Sequence, residues 1–112
     1  MKNVFQKIID GELPSDKVFE NDRIIAFKDI APQAPVHILI VPKKLIPNIS
    51  SIKDEDSSLI AEIFAVANKL AIEFHIQDGY RIVTNNGAGA GQTVPHLHFH
   101  LIGGKKFSEH LL

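Results

Sequence analysis

The sequence predicts an α+β domain: a mainly antiparallel five-stranded sheet with one long and one short helix lying on one face. Three observations carry this reading. Short apolar and β-branched runs succeed one another through turn-forming residues, which favours antiparallel pairing. One long segment, around residues 60–74, instead shows helical periodicity. No internal repeat, low-complexity tract or linker divides the 112 residues, a length suited to a single domain covering residues 1–112.

The elements follow in order. Val4, Phe5, Ile8 and Ile9 recur at helical spacing, and Gly11 after Asp10 supplies a stop, giving the short helix. Leu13-Pro14-Ser15 breaks the chain, and residues 17–20 and 23–28 read as two strands joined at Asn21-Asp22. Residues 29–35 contain two prolines and form a loop. Residues 36–41, apolar at nearly every position, read as a strand buried on both faces and ended by Pro42. Asp54, Glu55 and Asp56 mark the start of the long helix, where negative charge is favoured. Its apolar stripe is Ile60, Ile63, Phe64, Ala67, Leu70, Ala71 and Phe74, and Gly79 closes the segment. Residues 80–84 form the next strand, residues 87–91 a glycine-rich loop, and residues 94–102 the last strand.

Composition narrows the function. Hydrophobic residues make up 45% and charged residues 22%, with a formal net charge of −1, so nothing draws the whole molecule to nucleic acid or an anionic membrane. The absence of cysteine removes disulfides and thiolate metal sites. The N-terminus lacks a signal-peptide core and no apolar run reaches bilayer length, so a cytoplasmic protein is expected.

The informative segment is His96-Leu97-His98-Phe99-His100-Leu101-Ile102. Strand alternation puts the three histidines on one face and Leu97, Phe99 and Leu101 on the other. Repulsion among three close imidazoles holds at least one neutral, and a neutral imidazole nitrogen is a nucleophile. Metal binding is the rival reading, since His-x-His offers two ligands, but no carboxylate or thiolate stands beside the triad in sequence. His37, polar within an apolar strand, needs a partner or a function, and convergence on the same cleft supplies one. His75 and His110 are assigned no chemistry, and Lys43-Lys44 reads as a solvated face. The glycine-rich loop permits close backbone approach and offers N–H donors suited to phosphate. Residue type alone makes Asp29 an N-cap or turn residue.

Residues 96–102 match the signature of the histidine-triad family, three histidines alternating with hydrophobics and ending in two more. Phe5-Gln6-Lys7-Ile8-Ile9, the stretch from Phe27 to Pro35, His37 to Lys44, and Gly91-Gln92-Thr93-Val94-Pro95 resemble its Hint branch, so the likeness extends nearly to Gly104. The resemblance implies a purine nucleoside phosphoramidase with the family's fold. It would release AMP or GMP from phosphoramidates and aminoacyl adenylates, as a homodimer without metal or other cofactor. By position it makes His98 the nucleophile, with His37, His96 and His100 around the phosphate and leaving group. Asp29 would hold the ribose hydroxyls; Phe5, Leu13, Phe27 and Ile30 would line the purine pocket; Asn85, Gly91 and Thr93 would bind the phosphate, with Gln92 also a nucleotide-binding residue.

Some positions depart from the pattern. Thr93 stands where several relatives have serine, and Lys28 where many have histidine. Asn3 and Gln6 replace the Cys-x-x-Cys pair that holds structural zinc in some members. The tail, residues 105–112, lacks the Trp that some relatives place near a neighbouring subunit's site. Two other functions fit the same residues: hydrolysis of dinucleoside polyphosphates, and a non-catalytic nucleotide-binding or interaction module. The Gly103-Gly104 ending favours the phosphoramidase branch over the first, and the intact triad argues against the second.

Overall fold

The structure, a computed structural model, describes residues 1–110; of the tail, Leu111 and Leu112 lie outside the described residues. Among the described residues five strands form one fully antiparallel sheet: β1 (Lys17–Glu20), β2 (Ile24–Lys28), β3 (Val36–Pro42), β4 (Tyr80–Val83) and β5 (Phe99–Gly103). Their spatial order is β1-β2-β3-β5-β4, so β3 and β5 sit at the centre. The β1–β2 hairpin turns at Asn21, whose side-chain oxygen accepts from the N–H groups of Arg23 and Ile24. This local bond is why Asn-Asp works as a turn here. Among the described residues no helix is long and apolar enough to cross a membrane.

The helices lie on opposite faces rather than on one. The long helix α2 (Ser57–Glu73) packs Leu59, Ile63, Val66 and Leu70 against Ile24, Ile38, Ile40, Phe99 and Leu101. The short helix α1 (Val4–Ile9) packs Phe5 and Ile8 against Ile25, Phe27, Leu39 and Val41. The cause is visible in β3: its odd and even positions are both apolar, so each face of the sheet needs a cover. That division leaves the α1 face only partly covered, and the histidines occupy the remainder.

Three local expectations need correction. The last strand begins at Phe99, not at residue 94. Pro95 has no N–H for a ladder, and the chain there is held otherwise, with Leu97 N–H donating to the Ile46 carbonyl at 2.6 Å. The long helix ends at Glu73, well before Gly79. His75 takes a left-handed conformation (φ 61°) just beyond, and the Ile76 N–H reaches back to the Ala71 carbonyl at 2.8 Å. Ile76 then folds into the core, the hydrophobic contact that accompanies such a helix stop. Finally, Lys43 and Lys44 are not merely solvated. Lys43 meets Glu20 at 2.9 Å, and Lys44 meets the buried Asp56 at 2.5 Å. Asp56 also accepts from the Lys53 N–H, and Lys44 holds its carboxyl below the usual range. The acidic start of α2 is thus fastened to the chain after β3 rather than left as a field for the helix dipole.

The Gly103-Gly104 pair is explained by packing. A Cβ at Gly103 would stand 2.7 Å from the Ile76 side chain, and Gly104 adopts φ 88° beside Pro35. These glycines bring β5 close under the helix exit.

Candidate active site

The alternation read from the triad survives the loss of regular strand structure over residues 94–98. Leu97, Phe99 and Leu101 enter the core under α2. On the other face the rings of His98 and His100 lie 5.2 Å apart, and Phe5 of α1 stands edge-on to His98 at 4.8 Å and to His96 at 6.1 Å. The β3–β5 register pairs Leu39 with His100 and His37 with Ile102, which sets His37 diagonally beside His100 on this face. The two rings are 5.1 Å apart. The rings of His37, His98 and His100 therefore converge, while His96 joins them through its carbonyl, which meets His98 Nδ1.

Their hydrogen bonds fix which nitrogen carries the proton in each neutral ring. His98 Nδ1 lies 2.7 Å from the His96 carbonyl oxygen. A carbonyl can only accept, so Nδ1 is the N–H and Nε2 keeps an open lone pair. His37 Nδ1 accepts from the Gln33 N–H at 3.0 Å, so its Nε2 is the donor. That donor meets His100 Nδ1 at 2.9 Å, which leaves the His100 proton on Nε2. Asp29 Oδ2 lies 3.4 Å from His37 Nε2 and orients the same ring. Burial, with the nearby His98 and His37, pushes the His100 pKa down to about 4. His96 is fully buried, with Nε2 donating to the Pro42 carbonyl at 2.8 Å and Nδ1 facing the Asn3 amide at 3.2 Å. It is held below its ordinary pKa chiefly by that burial. Its ring is occupied by the protein rather than offered to a ligand.

Beside the histidines lies a cleft of about 160 Å³ lined by Val4, Phe5, Ile8, Phe27, Ile30 and Leu39, with Asp29 in its wall. Three of the four residues expected to line a base pocket are therefore brought together. Ile30 is wholly exposed on the rim, apolar surface suited to covering a flat ring. Leu13 stands outside the lining, where Pro14 and Ser15 take that wall. The buried Ser15 hydroxyl there has no hydrogen-bond partner among the described residues. Asp29 does make a turn: its Oδ1 accepts from the Ala31 N–H at 2.8 Å. Its other oxygen faces His37, so the turn still leaves one carboxylate oxygen toward the histidines. Lys28 also borders the cleft, but it points its ammonium over the Phe74 ring and toward Asp16.

The glycine-rich loop differs from expectation. The N–H groups of Ala90, Gly91 and Gln92 bond to carbonyls within the loop, and that of Gly87 bonds to the Gln92 side chain. They are engaged in shaping the turn, with Gly87 and Gly91 at positive φ, rather than aimed outward. Gln92 also donates to the carbonyls of Pro47 and Val94, so it is a staple for the loop. Thr93 is exposed and Asn85 half-buried.

Two residues escaped the sequence reading. Thr84 donates its hydroxyl to the His98 carbonyl at 2.8 Å. Asn3, noted only where relatives carry cysteine, contacts His96 across the fold. Neither pattern is periodic, so only tertiary proximity shows them. As a donor set, Asp29, His37 and His100 place three possible metal-ligating atoms within 4.8 Å of one another. The His37–His100 hydrogen bond already uses two of the three.

Comparison with known proteins agrees with this geometry. The HIT domain family matches residues 10–107. A HIT-like protein of Chlamydia pneumoniae is 55% identical over 102 residues, 91% of this chain and 93% of that protein. A HIT family hydrolase from Clostridium thermocellum superposes with a TM-score of 0.96 at 46% identity, covering 99% of this chain and 97% of its own. A histidine triad nucleotide-binding protein from Candida albicans gives 0.85 at 37% identity, covering 94% and 76%. With the signature histidines gathered on one sheet face, and the match spanning nearly every element that holds them, the chain belongs to the HIT domain family.

Proposed function

We propose that this chain hydrolyses purine nucleoside 5′-phosphoramidates and related aminoacyl adenylates, releasing AMP or GMP. The observation that carries the reading is the His98 tautomer: its Nδ1–H is committed to the His96 carbonyl, leaving Nε2 as a bare nucleophile. The apolar cleft beside it suits a purine, and Asp29 stands where ribose hydroxyls would follow. The hydrolase and nucleotide-binding names borne by two of the relatives point the same way.

In the first step His98 Nε2 attacks the α-phosphorus and the phosphorus–nitrogen bond breaks. An incoming phosphate anion favours the protonated form of His100, which the empty site disfavours. Its Nε2–H passes to the departing amine. In the resting site His37 holds the neutral ring through Nδ1, and Asp29 holds His37. Once His100 is protonated its Nδ1 is also a donor, and the nearby Asp29 carboxylate offers it an acceptor. In the second step neutral His100 takes a proton from water, whose oxygen attacks phosphorus and releases His98 with the nucleoside monophosphate. No step requires a metal.

We also propose a homodimer, the arrangement implied by the family likeness and consistent with the exposed Phe64, Ile72 and Val83 on α2 and the edge strand β4. Sedimentation should report about twice the 12.4 kDa chain mass. The substrate reading is tested by comparing turnover of adenosine 5′-phosphoramidate with that of a diadenosine polyphosphate. The phosphoramidate should have the higher kcat/KM; the reverse order would assign the other hydrolysis.

A further inference from the structure

We infer that Asn3 is a positioning residue for the nucleophile, fixing the buried His96 imidazole so that the His96 carbonyl meets His98 Nδ1–H. The inference rests on His98 being the attacking residue.

Asn3 caps α1. Its Oδ1 accepts from the Gln6 N–H at 2.8 Å, while Gln6 Oε1 accepts from the Asn3 N–H at 2.9 Å. This reciprocal box commits the amide oxygen to the helix and so turns Nδ2 outward. Nδ2 meets His96 Nδ1 at 3.2 Å, joining residues 93 positions apart. From the other side, the Pro42 carbonyl at 2.8 Å requires the His96 proton to sit on Nε2. Nδ1 is then an acceptor, and Asn3 offers it a donor. The cap and the carbonyl independently demand the same arrangement.

This clamp matters because β5 begins only at Phe99, leaving residues 94–98 without regular strand pairing. They are held instead by single bonds, among them Leu97 N–H to Ile46, Gln92 to the Val94 carbonyl, Thr84 Oγ to the His98 carbonyl, and the two bonds of the His96 ring. A fully buried imidazole short of one partner can rotate or change tautomer to satisfy itself. The His96 carbonyl, which holds the His98 proton on Nδ1 at 2.7 Å, would move with its residue. The same helix carries Phe5, which touches both rings and lines the cleft. Asn3 thereby links the cleft wall to the nucleophile's proton state.

Two substitutions separate this role from helix capping, because serine and aspartate are both good N-caps. Asn3→Ser keeps a cap but falls short of His96. It should lower kcat by about five- to tenfold, the equivalent of one hydrogen bond, with KM within about twofold. Asn3→Asp keeps cap and reach but presents an acceptor to Nδ1. Protonated His96 would satisfy both the carboxylate and Pro42, so most activity should return at low pH and fall as His96 deprotonates. A new ionisation, raised relative to His96 in the wild type by the facing carboxylate, should appear in the kcat profile, with His98 as the titratable neighbour facing it. Imidazole 15N NMR on the unliganded protein should show the Nε2–H tautomer of His96 in wild type and imidazolium in Asn3→Asp. Wild-type kcat in Asn3→Ser, unchanged ring shifts in Asn3→Asp, or equal pH-independent losses in both variants would overturn the inference. The NMR arm needs no turnover, so an inactive wild-type protein would instead count against the proposed activity.

Discussion

Replacing His37 by Phe tests whether the second pair of imidazoles works as a unit. The substitution keeps a flat ring on β3 but removes both nitrogens. The Gln33 N–H loses its acceptor, but Gln33 is exposed and water can serve it. His100 Nδ1, 2.9 Å from His37 Nε2, loses a donor in a half-buried place where replacement is harder. Removing one partner of such a bond costs roughly 1–3 kcal/mol, or about 5- to 150-fold in rate if it falls on the transition state. It should fall there, because the His100 ring, no longer held by His37, can turn away from the amine and the water with which it exchanges a proton. Steady-state kinetics with adenosine phosphoramidate should show that loss in kcat, with KM little changed because Phe5, Phe27 and Ile30 are untouched. The double variant with His100→Asn should be no slower than His100→Asn alone. Wild-type kcat in His37→Phe, or strictly multiplicative losses in the double variant, would refute the coupled pair.

Three further outcomes are expected. Asp29→Ala should reduce kcat/KM by about ten- to a hundredfold and erase most preference for ribo- over 2′-deoxyribonucleotides, as loss of a charge-assisted bond requires; an unchanged preference would leave Asp29 a turn residue alone. Activity should survive chelator treatment undiminished, and loss with EDTA restored by zinc would make Asp29, His37 and His100 a metal centre instead. Stability should decline as pH falls from about 6.5 toward 4. The folded protein resists protonating His100 until about pH 4, while the unfolded chain takes up that proton near the ordinary histidine value. Urea unfolding across that window should show a shallower decline in His100→Asn.

What the sequence made legible followed from local periodicity. The stripe from Ile63 to Leu70 announced α2, and the two-sided apolar pattern of Ile38 to Val41 announced a central strand. That same pattern already implied a cover on each face, although the helices were expected together on one. The triad's alternation carried the convergence of His98 and His100, and the apolar setting of His37 drew it to the same cleft. Less legible was everything set by contacts between distant residues. Asn3 and Thr84 are polar residues of ordinary types, and only the fold brings them to His96 and His98. The loop's glycines advertised outward N–H groups, whereas Gln92 and the loop's own carbonyls consume several of them. Leu13 matched a position in a pattern yet stands outside the cleft lining, and Lys28, which departs from that pattern, points its ammonium over Phe74.

The central claim is that His98 Nε2 forms a bond to phosphorus. Wild-type protein mixed with adenosine phosphoramidate and quenched at alkaline pH, where a phosphorus–imidazole bond survives, should carry one nucleotidyl group on the peptide containing His98. His98→Ala should lose about a thousandfold or more in kcat and carry no label, yet still bind AMP. A label on His37, His96 or His100, or near-normal turnover by His98→Ala, would contradict the account.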